Sequence, residues 1–147
     1  MHCSIAQTLE LIGEWWTLLI LRDAFFGVTR FDLFHQRLGI ARNVLTTRLN
    51  GLVEAGLMER RTYDESRGRT DYLLTEKGLA LWPVIVSLRQ WGDEWLFEEE
   101  NRPVDVIHQS CGANTGFDMT CRSCGDTVGP QDLAIGPGPG AQGDELP

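Results

Sequence analysis

The residues best suited to chemistry lie near the C-terminus, where two ligand-like pairs follow one another. Two residues separate His108 from Cys111, two separate Cys121 from Cys124, and nine lie between the pairs. A glycine directly follows each pair, at a place where a tight turn favours it. Because zinc takes four nitrogen or sulfur ligands in a tetrahedron, this spacing predicts a closed, structural zinc site in a small zinc-ribbon-like β module.

Two other interpretations of these thiols stay open. Cys121 and Cys124 could instead form a redox pair, or the three C-terminal cysteines could be unrelated to one another. The segment 101–133 is too short to bury much apolar surface, so a bound metal would supply its folding energy. We therefore expect zinc as a structural cofactor.

A second candidate surface lies on a helix predicted over residues 41–54. Leu45, Leu49 and Leu52 recur at three- and four-residue steps, which predicts an apolar inner face. The opposite face carries small polar and basic side chains without an acidic one: Arg42, Asn43, Thr46, Thr47 and Asn50. Arg and Asn can make paired hydrogen bonds to base edges in a DNA major groove, and Thr can contact a thymine methyl. Arg48 flanks this face, where a phosphate is its expected partner.

The elements predicted around this helix follow the order of a winged helix-turn-helix fold, which is mainly α with a small β-hairpin wing. Three helices are predicted over residues 3–25, 30–37 and 41–54, with a turn at 38–40 between the second and the third. A hairpin over 57–75 and a final helix over 75–100 follow. Gly13 marks a candidate break in the first helix, Thr29 is the expected N-cap of the second, and Thr75 that of the last. Pro83 is expected either to kink the last helix or to begin its main segment.

The loop of the hairpin carries an arginine on each side of a glycine. Arg67 and Arg69 are expected to enter a minor groove or to contact phosphates. The acidic Asp64 and Glu65 in the same loop weaken this expectation.

Three regions are predicted along the chain. A DNA-binding domain covers residues 1–100, and the zinc-ribbon-like extension covers 101–133. The tail 134–147 is rich in Gly and Pro and is expected to be disordered. No run approaches the ~20 apolar residues that cross a bilayer and no basic segment opens the chain, so a cytoplasmic protein is expected.

The distribution of charge matters more than its sum. The formal net charge of −8 by itself argues against a nucleic-acid partner. Residues 30–77 nevertheless hold nine Arg and Lys against seven Asp and Glu, whereas residues 78–147 hold three against eleven. Since phosphate attraction is short-ranged at cellular salt, a local surface can still bind double-stranded DNA. The acidic C-terminal half keeps an alternative open, a protein-interaction or thiol-redox module without sequence-specific DNA binding.

An enzyme is not expected. His2, His35 and His108 are scattered along the chain, and no pairing of a nucleophile with a base is evident. His35 lies on the second predicted helix and is expected to be a surface or backbone-contacting residue.

Several segments, none specific alone, are together typical of one family. They are Cys3, 9–23, Arg30 with Phe31, 44–49, 52–57, Tyr72 and 74–78. The combination resembles the HxlR-type winged helix-turn-helix regulators over roughly residues 3–97. The resemblance implies a homodimer that binds palindromic operator DNA as a repressor or activator, with Arg30 among the DNA-contacting residues.

In that family the N-terminal and long C-terminal helices form the dimer. Trp82, Leu88, Trp91 and Trp95 fit this, because one small domain does not easily bury so much apolar surface; a monomer core is the alternative. Two departures leave the operator sequence unpredicted. Ala41 stands where a hydroxyl residue often opens the recognition helix, and the wing lacks the prolines often found there.

Cys3 occupies the place at which several family members carry a redox- or electrophile-sensing cysteine. A helix N-terminus favours the reactive thiolate, so Cys3 is a candidate redox sensor, although a small packed residue is the interpretation we prefer. A small-molecule effector in an apolar pocket near Trp16, Trp82 and Trp91 is a further hypothesis.

Overall fold

The structure is a computed structural model that describes residues 3–64, 69–114, 116–134, 136, 138 and 139. It divides into two compact units, residues 1–85 and 86–147. The helices are α1 (Ser4–Ile12), α2 (Trp15–Phe25), α3 (Phe31–Leu38), α4 (Arg42–Glu54), α5 (Glu76–Leu79) and α6 (Trp82–Trp95). The strands β1 (Met58–Asp64) and β2 (Arg69–Leu74) form a hairpin. Within the described part of the chain, no helix is long and apolar enough to cross a membrane.

Helices and the base of the hairpin enclose the core of the first unit. The predicted inner face of α4 is confirmed, because Leu45 and Leu49 are fully buried and Leu52 is 2% exposed. The same apolar cluster contains residues of α2, α3, the turn before α4 and the start of β1: Ile20, Leu21, Phe34, Ile40, Leu57 and Met58. Burial of each leucine contributes about 1.5–3 kcal/mol of transfer free energy. The rotation of α4 about its own axis is therefore fixed.

The first predicted helix is broken at Gly13, as expected. α1 ends immediately before this glycine, and α2 begins two residues after it. The expected N-cap role of Thr29 is wrong, since Arg30 occupies the N-cap of α3 and no side chain caps the helix. The Thr29 hydroxyl instead donates to Asp71 Oδ1 at 3.0 Å, because β2 brings a carboxylate within its reach.

β1 and β2 pair antiparallel and form the predicted wing. The ladder begins with Met58 opposite Leu74, next to the core. An isolated bridge joins Arg30 to Asp71, and the Tyr72 amide donates to a carbonyl in the loop before α3 at 2.7 Å. The wing is thus fastened to the start of α3 by main-chain hydrogen bonds.

The last predicted helix is interrupted. Thr75 caps α5 as expected, because its hydroxyl accepts a hydrogen bond from the Gly78 amide at 3.1 Å. α5 ends at Leu79 and α6 spans Trp82–Trp95, so the single helix predicted to reach residue 100 is wrong. Pro83 suits the first turn of α6, where its missing amide hydrogen is not needed, and so it begins the main segment.

In the second unit, α6 is followed by a 3-10 turn at Glu99–Asn101 and by two small β-like turns. Isolated bridges join Ile107 to Asn114 and Thr120 to Thr127, on either side of the two ligand pairs. The described residues from 96 to 139 contain no longer strand, so a zinc-ribbon-like module stays a prediction.

Gly78 lies where two backbone segments nearly touch. It is buried, and a β-carbon placed on it would overlap the carbonyl oxygen of Leu57. Gly51, on the exposed side of α4, is the opposite case, because a β-carbon there would meet no atom within 4 Å. An alanine substitution at Gly51 is therefore the control for the same substitution at Gly78.

Gly78→Ala is expected to lower the free energy of unfolding by about 1–3 kcal/mol, because the backbone must shift to admit the methyl group. Gly51→Ala is expected to raise it by about 0.5–1 kcal/mol, because Ala favours a helix interior. Urea unfolding followed by circular dichroism measures both. Equal stability of the two variants would contradict the close approach at Gly78.

Candidate nucleic-acid interface

The outer face of α4 presents the residues that its sequence predicts there. Arg42, Asn43, Thr46 and Thr47 are exposed, and Asn50 is half-buried. They lie opposite the buried leucines, one helical turn apart along the same side. These five residues are called the recognition face below.

A histidine and a glycine fix the turn between α3 and α4. Gly39 has φ 64°, a left-handed conformation that ends α3, and its amide donates to the His35 carbonyl at 3.0 Å. His35 Nδ1 lies 2.7 Å from the carbonyl oxygen of Ile40, on the far side of the turn. The prediction that His35 contacts backbone is confirmed, and the contact ties the approach to α4 to the preceding helix.

Two neighbours on α3 orient Arg42. Its guanidinium lies over the Phe31 ring, 4.9 Å from the centroid, and its Nη2 is 3.0 Å from Asp32 Oδ1. Both members of this ion pair are largely exposed, so the pair contributes at most about 1 kcal/mol and a nucleic acid can replace it. The Phe31 ring keeps the guanidinium at the N-terminus of α4, the end at which a recognition helix contacts bases.

Local contacts hold the other polar side chains of the recognition face. The hydroxyls of Thr46 and Thr47 each donate to the carbonyl oxygen four residues earlier, at 2.8 and 3.0 Å. Asn50 Oδ1 accepts a hydrogen bond from Arg60 of β1, whose guanidinium lies 5.8 Å from the centroid of the Tyr72 ring. Arg60 thus links the wing to the recognition face. This role was not predicted, because a strand sequence alone does not show which helix residue it faces.

The other predicted DNA contacts differ in their surroundings. Arg48 is half-buried, and its Nη2 pairs with Glu14 Oε2 at 3.0 Å. Arg30 and Arg69 are exposed, at the N-cap of α3 and at the first residue of β2. Arg67 lies outside the described residues. Contacts of these four arginines with DNA stay predictions.

Asp23 is a buried carboxylate that no sequence pattern singled out. It has no exposed surface, and it accepts hydrogen bonds from Arg22 Nη2 at 2.8 Å and from Arg37 Nε at 3.1 Å. Because Arg37 belongs to α3, the carboxylate joins the end of α2 to the end of α3. The arginine side chains are 43% and 54% exposed, so their own charges stay in contact with water.

The predicted zinc ligands are brought together in pairs. His108 Nδ1 lies 3.2 Å from Cys111 Sγ. The backbone amides of Cys124 and Ser123 hydrogen-bond to the Cys121 sulfur and lower the pKa of its thiol. Among the described residues, no three His, Cys, Asp or Glu side chains are gathered closely enough to share a metal ion. A bound zinc ion stays a prediction.

The tryptophans predicted to line an effector pocket have aromatic neighbours of their own. The ring centroids of Trp16 and Trp15 are 5.0 Å apart, and those of Trp82 and Phe25 are 5.2 Å apart. The second unit has an open groove of about 400 Å³ that is lined mainly by polar and charged residues, with Phe97 as its aromatic member. A small-molecule effector stays a prediction.

Together, the helix-turn-helix, the hairpin wing and the outward polar face of α4 define a winged helix-turn-helix transcriptional regulator. The chain belongs to the HxlR-like helix-turn-helix family, whose sequence model matches residues 11–100. It is 45% identical over 137 residues to Rv3095 of Mycobacterium tuberculosis, which is named as an uncharacterized HTH-type transcriptional regulator. That alignment covers 93% of this chain and 87% of the relative, and Mb3122 of Mycobacterium bovis matches to the same extent.

Solved structures extend the similarity beyond the family domain. PA1607, a candidate transcription factor, has a TM-score of 0.84 and 36% identity over 92% of this chain and 94% of its own. PA1374 of Pseudomonas aeruginosa, also a candidate transcription factor, has a TM-score of 0.69 and 38% identity over 96% of each chain. The reduced form of the redox regulator HypR covers 63% of this chain and 92% of its own, with a TM-score of 0.59 and 28% identity. The first two similarities therefore include residues after position 100.

Asp23→Asn is expected to lower the free energy of unfolding by about 1.5–3 kcal/mol, because it weakens charge-assisted hydrogen bonds to a buried acceptor. Asp32→Asn makes the same chemical change in an exposed ion pair and is expected to cost at most about 1 kcal/mol. Urea unfolding compares the two. A destabilisation by Asp32→Asn as large as that by Asp23→Asn would refute the special role of the buried carboxylate.

Proposed function

We propose that this protein binds palindromic operator DNA as a homodimer, with the recognition face of each α4 in the major groove. The observation that carries the proposal is the one-sided character of α4. Three buried leucines hold the helix against the core and leave five polar or basic residues outward. Arg42 and Asn43 lie at the N-terminal end of α4, and these residue types can make bidentate hydrogen bonds to guanine and adenine.

Arginines around the recognition face would hold the phosphate backbone. Arg30 and Arg69 are exposed, and Arg67, two residues before Arg69 in the sequence, is outside the described residues. Arg48 would exchange its Glu14 partner for a phosphate oxygen. Because the chain as a whole carries a net charge of −8, binding would depend on these local charges and would weaken steeply with salt.

Exposed apolar side chains support the homodimer. On α1, Ile5 is 72% exposed and Leu9 55%, and on α6, Trp91 is 58% exposed and Trp95 66%. Large apolar side chains at helix faces gain about 25 cal/mol for each Å² that a partner covers. A second copy of this chain is the proposed partner, since a palindrome presents two equal half-sites and one α4 occupies only one. The HxlR resemblance implies the same use of these helices.

Selection from random double-stranded DNA is expected to yield a palindrome, and light scattering of the complex is expected to show two chains per site. The variant Arg42→Ala/Asn43→Ala should bind the selected DNA more weakly, by about 1–3 kcal/mol for each base that it no longer recognises. Arg122→Ala removes one positive charge from an exposed site in the second unit and should bind nearly as the wild type does. Gel shifts at several salt concentrations measure all three proteins.

An unchanged affinity of the double variant would reject the recognition face. A selection that returns no sequence preference, combined with a stable protein partner, would favour the protein-interaction module instead.

A redox response through Cys3 is a second proposal. Cys3 is the half-buried N-cap residue of α1, its thiol is free, and the chain is similar to the redox regulator HypR. α1 also carries exposed residues of the proposed dimer surface. Two Cys3 thiols, one from each copy, would form a disulfide, lose two protons and pass two electrons to an oxidant such as diamide, which becomes the hydrazine.

Diamide treatment is expected to give a covalent dimer that dithiothreitol reverses, and to change the affinity for the operator. Cys3→Ser should abolish both effects, because it removes the attacking thiol. Non-reducing electrophoresis and gel shifts follow the reaction. A Cys3→Ser protein whose operator affinity responds to diamide as the wild type does would overturn this proposal.

A further inference from the structure

We propose that the second unit binds one zinc ion through His108, Cys111, Cys121 and Cys124. Such a site goes beyond DNA binding, and the support for it is a pair of turns that repeat one another in backbone geometry. Each turn holds one of the ligand pairs.

The first turn is closed by its own backbone. The His108 amide donates to the Ala113 carbonyl at 2.9 Å, and the Gly112 amide donates back to the His108 carbonyl at 2.8 Å. A bridge between Ile107 and Asn114 closes the ends. Gly112 has φ 72°, in the left-handed region that glycine occupies without strain.

The second turn repeats each of these features at the same offsets. The Cys121 amide donates to the Asp126 carbonyl at 2.8 Å, and the Gly125 amide donates to the Cys121 carbonyl at 2.8 Å. A bridge between Thr120 and Thr127 closes the ends, and Gly125 has φ 83°. Turns that end in a left-handed glycine are common in hairpins, but here each of the two carries a ligand pair at the same offsets. The match favours one shared purpose, which is to present a pair of ligands two residues apart.

The side chains of the first pair lie close enough together to bind one ion after a small adjustment. His108 Nδ1 lies 3.2 Å from Cys111 Sγ. A nitrogen and a sulfur ligand of tetrahedral zinc lie about 3.5 Å apart, for Zn–N of about 2.0 Å and Zn–S of about 2.3 Å. Ser110 Oγ lies 3.2 Å from both Nδ1 and Nε2, so it does not decide which of the two nitrogens would bind the metal.

The described residues after α6 bury little apolar surface of their own. No described residue from 101 to 139 is fully buried, and the apolar Ile107, Phe117 and Met119 are 50%, 48% and 70% exposed. A segment without a core needs a cross-link or a metal to hold its turns. Three thiolates and an imidazole are a donor set that zinc prefers.

Zinc binding requires the two turns to close on the ion, since no three donors share a site among the described residues. The nine residues between the pairs can span about 30 Å when extended, so the connection does not prevent this closure. The ligands would then be complete, without an open position for a substrate, and the metal would be structural.

The experiment uses the full chain without a histidine tag. Elemental analysis after gel filtration is expected to give one zinc per chain, and cobalt exchanged into the wild type should show the intense visible absorption of a tetrahedral thiolate site. X-ray absorption should then find three sulfur ligands and one nitrogen ligand. A protein that holds no zinc, and that gives no such cobalt spectrum after reduction of its thiols, would overturn the proposal.

Variants test the ligand set. Cys121→Ser/Cys124→Ser should lose zinc, Cys3→Ser should keep it as the matched control, and His108→Cys should keep it as a four-thiolate site with a shifted cobalt spectrum. Circular dichroism and operator binding report whether each variant has folded. Full zinc content in a folded Cys121→Ser/Cys124→Ser protein would overturn the proposal, as would a Cys121–Cys124 disulfide in the wild type that binds no zinc once it has been reduced.

Discussion

The packing of α4 against the core is the constraint on which the rest of the structure depends. Leu45, Leu49 and Leu52 are all buried, so a rotation of α4 would expose them and would bury polar side chains such as Asn43 without partners. Such a change costs several kcal/mol, which is a large part of the stability of a small domain. The apolar seam that stabilises the first unit therefore also decides which side chains are available to DNA.

Polar contacts with neighbouring elements also fix the position of α4. His35 bridges the turn that leads into α4, and Arg60 reaches from the wing to Asn50. Asp23 lies deeper, where its carboxylate joins α2 to Arg37 of α3. Each contact joins two elements that the apolar core alone would leave free to slide. The buried leucines fix the rotation of α4, and these charged and main-chain contacts fix its position relative to the neighbouring elements.

The sequence predicted those features that a local pattern encodes. The leucine spacing of α4, the break at Gly13 and the positions of the two hairpin strands depend on neighbours in the chain, and the structure confirms them. Thr29 and Asp23 depend on partners far along the chain, namely Asp71 for the hydroxyl and Arg37 for the carboxylate. Neither periodicity nor capping rules could reveal those partners. Pro83 indicated an irregularity in the last predicted helix, but the sequence did not decide between a kink and the start of a new helix.

The threonine hydroxyls of α4 donate their hydrogen bonds within the helix. Because Thr46 and Thr47 donate to main-chain carbonyls, each oxygen can offer outward only lone pairs, beside a methyl group. Such a surface complements the methyl of thymine and the amino groups of adenine and cytosine, and it has no donor for the paired acceptors of guanine. In this conformation, Thr46 and Thr47 would therefore favour thymine, adenine or cytosine over guanine as the base that they contact.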